Sequence, residues 1–279
     1  IPEFNQTLAH SFSYNDLDSL EQIFMEFPDQ TAIVIMEPLT ILEPENNFLH
    51  EVKKMTHHYG ALLMFDEIIT GFRFSLGGAQ ELTGVTPDLA SFAKGISNGI
   101  PLSALVGKKE YMQTLDETFF SFTYGGDCVG LSAAKVCIPK IKEEKVPDHL
   151  DKVGRLLKDG FNNLADQYQL RDYVECIGYP CRSIISFDGQ GKLDELEIKS
   201  FFQQELLRRG ILWAAYHALS WSHSEEDIFC TLNAYEETLA LFKKILDSKV
   251  TLRSNIEGKL VEPVFRKVAD FNSYTNKNK

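Results

Sequence analysis

Long apolar runs are what this sequence most plainly lacks. None approaches the roughly 18 consecutive apolar residues of a membrane-spanning helix, and the best candidate, residues 31–36, has the length of a strand. Positive charge is also scarce: 28 Lys plus Arg stand against 40 Asp plus Glu, a formal net charge of −12. A polyanionic chain without a Lys/Arg cluster binds nucleic acid poorly. Neither nucleic acid nor a membrane is therefore an expected partner. Cysteine is sparse and scattered, at positions Cys128, Cys137, Cys176, Cys181 and Cys230. An odd count without short paired spacings suits neither a disulfide framework nor a zinc site, so reduced thiols and no metal are expected. The opening Ile1-Pro2-Glu3-Phe4 has neither the basic start nor the apolar run of a signal peptide. It does not begin with Met and reads as a cut through a longer protein, with cytoplasm as the expected compartment.

What is present is the material of a core. Of 279 residues, 44% are apolar and 11% aromatic, which excludes general disorder and allows one large or two ordinary domains. The expectation is an acidic, globular α/β protein, most often an enzyme.

The apolar pattern alternates helix and strand in the first half. Residues 17–27 read as a helix with Asn15 or Asp16 as N-cap, and 31–36 as a strand buried on both faces. Residues 48–59 suit an amphipathic helix stopped by Gly60, and 61–65 form the next buried strand, ending on Asp66 and Glu67. Two apolar strands separated by such a helix make a βαβ unit and hence a parallel sheet. Shorter strands are expected at 89–92 and 102–106, then long helices at 128–143 and 149–167. Short strands between 173 and 187, with helices at 194–209 and 224–246, suggest a separate α+β domain starting near Lys145-Val146-Pro147. From residue 249 the tail is polar, with a poorly ordered tip expected at Asn276-Lys-Asn-Lys279.

Two residues carry chemistry. Asp66 follows an apolar run at the carboxyl edge of the parallel sheet, where open α/β folds bind ligands. Its partner is expected to be either an arginine such as Arg73 or the protonated ring nitrogen of a cofactor. Lys94 closes another short apolar strand and precedes a Gly- and Pro-containing turn; desolvation there would make its amine a usable nucleophile. A lysine amine that can form a Schiff base and an aspartate that can hold a pyridinium are the two parts that pyridoxal phosphate requires. They stand 28 residues apart, each at a strand end.

Here the sequence resembles a family. Met64-Phe-Asp-Glu-Ile-Ile-Thr-Gly-Phe-Arg73, Gly77-Gly-Ala-Gln80 and Thr86-Pro-Asp-Leu-Ala-Ser-Phe-Ala-Lys-Gly95 are similar to class III aminotransferases, glutamate-1-semialdehyde aminomutases and their relatives above all. The signature spans 64–95, with weaker likeness to about residue 267. The resemblance implies a fold-type-I pyridoxal-phosphate transferase, with a mostly parallel sheet flanked by helices. Residues 1–145 would form the later part of the large cofactor domain, 146–267 a smaller α+β domain and 268–279 a polar tail.

The resemblance also implies roles. Lys94 would hold the cofactor as a Schiff base and, once freed by substrate, shuttle protons. Asp66 would pair with the ring nitrogen, and Ile68 would pack on one ring face. Thr123, in Phe122-Thr-Tyr-Gly-Gly126, would reach the phosphate of a neighbouring subunit's cofactor, which implies a homodimer. Glu37, of Glu37-Pro38, would give support from behind.

Three departures qualify this. The loop Leu39-Thr-Ile-Leu-Glu-Pro44 lacks the Asn or Gln expected to meet the cofactor's phenolic oxygen. In place of a Gln-Phe-Glu stretch the small domain has Gly210-Ile-Leu-Trp-Ala-Ala-Tyr-His-Ala-Leu-Ser-Trp-Ser-His223. Trp213, Tyr216 and His217 there suggest either a sugar-type or polyol carbonyl acceptor or simply core aromatics. Family members also carry, ahead of the point where Ile1 aligns, the phosphate-cradling loop and the aromatic stacked on the ring. Weak cofactor binding and exposed sheet edge are expected without them. The implied function is amino transfer from a donor to a carbonyl acceptor, with aminomutation or a catalytically silent partner subunit as the other readings.

Overall fold

A computed structural model describes residues 7–119 and 121–262. It divides into two compact units. The first holds the described residues through Lys152 together with Gly178–Cys181 and Leu219–Trp221. The second holds Val153–Ile177, Arg182–Ala218 and the described residues from Ser222 onward.

The first unit is built on helix α1 (Leu17–Glu26), strand β1 (Ile33–Met36), α2 (Phe48–His58), β2 (Leu62–Asp66), α3 (Gly78–Thr83), β3 (Leu89–Phe92), β4 (Ala104–Gly107), α4 (Lys109–Met112) and α5 (Cys128–Glu143). The sheet order is β1-β2-β3-β4. β1, β2 and β3 run parallel, and β4 returns antiparallel to β3. Alternation decides what is buried, because successive strand residues face opposite ways. Val34, Met36, Leu63 and Phe65 point into a core with Leu20 and Phe24 of α1 and Phe48, Leu49 and Val52 of α2. The other face is less covered: Ile35 is 56% exposed, and Leu62 and Met64 are only half-buried. Burial on both faces, expected from the unbroken apolar run, is thus not met in β1.

Helix ends follow the capping chemistry. Asp16 rather than Asn15 caps α1, its side chain accepting the Ser19 N–H. Asn15 takes a left-handed φ of 64° and bonds the 43–45 loop instead. The turn after α2 does hinge on Gly60, at φ 72°.

The second unit collects α6 (Val146–Gln167, its first residues counted with the first unit), β5 (Val174–Tyr179), β6 (Arg182–Phe187), α7 (Glu195–Arg208), the short β7 (Tyr216–His217) and α8 (Glu225–Leu246). Sheet order is β5-β6-β7. α6 offers Val153, Leu157, Phe161 and Ala165, all at four-residue spacing and all buried. Phe161 meets the Tyr235 ring of α8 edge-on, Phe201 and Phe202 of α7 lie against Phe242 of α8, and Ile198, Leu206 and Leu239 are buried as well. Ser224 and Asp227 form a reciprocal capping box at the start of α8. α6 begins three residues earlier than the pattern suggested, because Pro147 is tolerated in a first helical turn. The tip of the polar tail lies outside the described residues.

Among the described residues, no helix is long and apolar enough to cross a membrane.

Candidate active site

The strand register gathers the candidate residues at one edge. Met36 pairs with Phe65, Phe65 with Ala90 and Asp66 with Ser91. Glu37, Asp66 and the turn after Phe92 therefore leave the sheet side by side, at the carboxyl ends of three adjacent parallel strands. Such strands lie about 4.8 Å apart. This is the edge where parallel sheets offer unpaired polar groups to a ligand.

Asp66 is half-buried and oriented from two sides. Its Oδ1 accepts the Ile68 N–H at 3.0 Å, a local turn that an aspartate side chain makes readily, and the Ser91 hydroxyl at 3.4 Å. Both bonds use the same oxygen. Among the described residues no hydrogen bond uses Oδ2. Arg73, the alternative partner considered from sequence, donates its Nη1 to the carbonyls of Cys181 at 3.1 Å and Leu219 at 2.9 Å.

Lys94 opens a single 3-10 turn, Lys94–Ile96, with a left-handed φ of 47°. A non-glycine residue held there is strained by about 1–3 kcal/mol, and such strain collects at functional sites. The Asn98 N–H closes onto the Lys94 carbonyl at 3.1 Å, and the Cys137 thiol of α5 reaches the Gly95 carbonyl at 3.5 Å. The lysine side chain is exposed and has no hydrogen bond or ion pair among the described residues. The desolvation expected from its place after an apolar strand is therefore not met: the chain has already left the sheet at Ala93.

Ile68 is half-buried beside Asp66, and Glu37 is half-buried directly after β1. The turn after Glu37 is fastened by the Tyr14 hydroxyl, which donates to the Pro38 carbonyl at 2.8 Å. Burial, then Tyr179 and Glu37 nearby, push the Tyr14 phenol up, so it stays a donor. Thr123 lies exposed in the turn preceding α5. In the second unit Trp213 and His217 are 4% and 7% exposed, whereas Tyr216 is 59% exposed. His217 is held at both ring nitrogens: Nδ1 lies 2.8 Å from Ser183 Oγ and Nε2 lies 2.8 Å from Tyr235 Oη. Burial pushes it down to about 4, so the ring is neutral.

Two carboxylates matter more than the sequence suggested. Glu67 is fully buried and binds the start of α3. Asp88 is 1% exposed and accepts from the Leu63 N–H, the Lys108 ammonium and His57, each at 2.7–2.8 Å. Burial pushes its carboxyl up, but those donors outweigh it and hold it at about 2. The signal for Asp88 was a charged residue just before an apolar strand, with a histidine at the end of α2.

Comparison with known proteins places the chain in a family. The family model described as aminotransferase class-III matches residues 3–218. The chain belongs to the class-III aminotransferase family. Over 250 residues it is 35% identical to the 3-aminobutyryl-CoA aminotransferase of Cloacimonas acidaminovorans, covering 85% of this chain and 59% of that protein. It is 31% identical over 263 residues to the glutamate-1-semialdehyde 2,1-aminomutase of Persephonella marina, covering 88% of this chain and 60% of that one. This class-III chain thus spans about three-fifths of the length of the curated relatives it matches. Among solved structures it resembles the internal aldimine form of the FumI protein of Sphingopyxis sp. MTA144, with a TM-score of 0.79 and 22% identity over 88% of this chain and 60% of that chain. An omega-transaminase of Sphaerobacter thermophilus gives a TM-score of 0.74 at 25% identity, over 82% of this chain and 56% of that one. The fold is that of the pyridoxal-phosphate-dependent transaminases: a mostly parallel sheet flanked by helices in the first unit, and a second unit of helices with a small sheet that contains an antiparallel pair.

Proposed function

We propose that the chain forms part of a pyridoxal-phosphate-dependent aminotransferase, which moves an amino group from a donor to a carbonyl acceptor. One observation carries the reading. Asp66 and Lys94 leave the sheet at the carboxyl ends of adjacent parallel strands, and among the described residues the carboxylate has one oxygen unused and the ammonium has no partner. That pair fits a pyridine ring with an aldehyde opposite its nitrogen.

Bound there, pyridoxal phosphate supplies an electron sink for the charge left when a substrate amine loses its α-proton. Asp66 holds a proton on the ring nitrogen, and the Ile68 N–H and Ser91 hydroxyl keep the carboxylate aimed. Lys94 would hold the cofactor through its side-chain amine and, when that amine is free, would act as the base that moves the proton. Ile68 covers one face of the ring. Glu37 supports the edge through the turn that Tyr14 fastens. Thr123 serves a neighbouring subunit's phosphate, and the protein is a cytoplasmic homodimer. Residues 1–145 form the cofactor-binding part, 146–267 the smaller domain. Tyr216 is the exposed member of the trio proposed to meet a sugar-type acceptor.

The test is product chemistry. Supplied with pyridoxal phosphate, glutamate and an aldehyde or keto acceptor, the protein is expected to release an α-keto acid, and Lys94→Ala is expected to release none. Isomerisation of an amino aldehyde without any keto acid would point to aminomutation instead. No turnover in either assay by a folded, cofactor-loaded chain would favour a silent partner subunit.

A further inference from the structure

Glu67 stands next to Asp66, and its burial is unexplained by a countercharge. It is 0% exposed, yet no Lys, Arg or His partners it among the described residues. An ionised carboxylate taken out of water costs several kcal/mol unless donors surround it. Here the donors are local. Oε2 accepts from the Thr70 hydroxyl and, at 2.8 Å, from the Ala79 N–H; Oε1 accepts the Gln80 N–H at 2.9 Å. The two amides belong to the first turn of α3, so the negative charge also meets the positive end of that turn. Gly78 makes room: it sits at φ 75°, and a Cβ there would collide with the Glu67 carboxylate.

The main chain of the same residue is tied as firmly. The Glu67 N–H donates to the Ser91 carbonyl at 2.9 Å, and its own carbonyl accepts the Gly71 N–H at 2.8 Å. Gly71 is required there, since a Cβ would lie 2.8 Å from that carbonyl and 2.5 Å from the Phe92 ring. Ser91 is also the residue whose hydroxyl touches Asp66. In extended chain, neighbouring side chains point to opposite faces. Asp66 therefore faces the site while Glu67 grips the loop from behind, and Ile68, whose N–H aims Asp66, is the next residue along.

We propose that Glu67 is a positioning residue: its buried carboxylate, clamped by Thr70, Ala79 and Gln80, fixes the 66–68 backbone and so the aim of Asp66 at the cofactor's ring nitrogen. The cofactor half of this inference rests on the aminotransferase reading above. Its structural half does not.

Amide hydrogen exchange on the cofactor-free chain separates the two. Glu67→Gln keeps the size of the side chain but turns one acceptor into a donor facing N–H groups. Exchange at the Ile68 N–H is expected to accelerate about tenfold or more, while amides within α2 and β1 change by less than about twofold. Thr70→Val, which removes one donor and leaves the charge, and Gly78→Ala, which pushes on the carboxylate, are expected to act in the same direction. With pyridoxal phosphate added, the midpoint pH of the Lys94-dependent absorbance band is expected to shift in all three. A purely structural role would lower stability without moving that midpoint. Unchanged Ile68 exchange in the folded variants, or acceleration spread evenly over the unit, would overturn the proposal. Absence of any Lys94-dependent band in the parent chain would sink the aminotransferase reading and the cofactor half with it, whereas selective Ile68 exchange would still establish the clamp.

Discussion

Lys94 and Asp66 illustrate two ways a residue can be made ready for chemistry. Lys94 has no partner among the described residues and sits on a left-handed backbone, while Asp66 is held by two donors on one oxygen. The pair was legible in the sequence because each follows a short apolar strand inside a dense motif. Its surroundings were not. Nothing in residue order says that Lys94 clears the sheet and meets solvent, or that the carboxylate one step beyond Asp66 is wholly buried. Those facts depend on how the 67–80 loop folds back. His217 makes the same point in the second unit. Two bonded ring nitrogens and a pKa pushed down to about 4 by burial make it a neutral core residue in this fold. Its folded-state value lies below its unfolded value of about 6.5, so between those limits the unfolded chain binds the extra proton. Stability is then full above about pH 6.5 and falls as pH drops toward 4, by on the order of 3 kcal/mol from this residue. Urea unfolding across that range is expected to show the loss in the parent and a clearly smaller loss in His217→Gln. An equal pH slope in both would contradict the assignment.

At the scale of elements, most helices and strands were legible from spacing. The four-residue repeat of α6 and the aspartate cap of α1 left little choice. What could not be read was how strands are fastened. The end of the sheet opposite the candidate site is joined by Asp88, whose side chain takes the Leu63 N–H of β2, Lys108 beyond β4 and His57 of α2. Its backbone pairs with both neighbours as well: the Asp88 N–H donates to Leu63, and its carbonyl accepts the Lys108 N–H. Asp88→Ala is expected to destabilise the first unit by about 2–4 kcal/mol, because a buried N–H loses its acceptor and Lys108 and His57 lose their partner. Asp88→Asn keeps an acceptor for Leu63 and is expected to lose less. Chemical denaturation monitored by far-ultraviolet circular dichroism checks both, and a loss below about 0.5 kcal/mol for Asp88→Ala would contradict the clamp. The burial of β1 differs from the expectation for a related reason. An apolar run shows that both strand faces are greasy, but only packing decides which is covered.

For the whole molecule, the exposed apolar surface is the feature that calls for a partner. Val129, Leu131 and Val136 of α5 are 62%, 52% and 69% exposed, and Phe122 and Tyr124, beside Thr123, are 57% and 80% exposed. Val129 and Val136 are seven residues apart and so share a helix face. The proposed homodimer would cover this region, and a contiguous apolar patch beyond a few hundred Å² is otherwise unusual on a monomer. Sedimentation analysis is expected to give a dimer, with Val129→Asp/Val136→Asp shifting it to monomer at unchanged helix content. A monomeric parent would contradict the homodimer. Lys94 as the residue that holds pyridoxal phosphate is tested by one direct measurement. The protein is mixed with pyridoxal phosphate, reduced with borohydride, digested and mapped by mass spectrometry. A single phosphopyridoxyl adduct on the peptide carrying Lys94, suppressed when Asp66 is replaced by Ala, is the predicted result. Labelling spread over surface lysines, unchanged in Lys94→Ala at every other site and absent from position 94 in the parent, would contradict it.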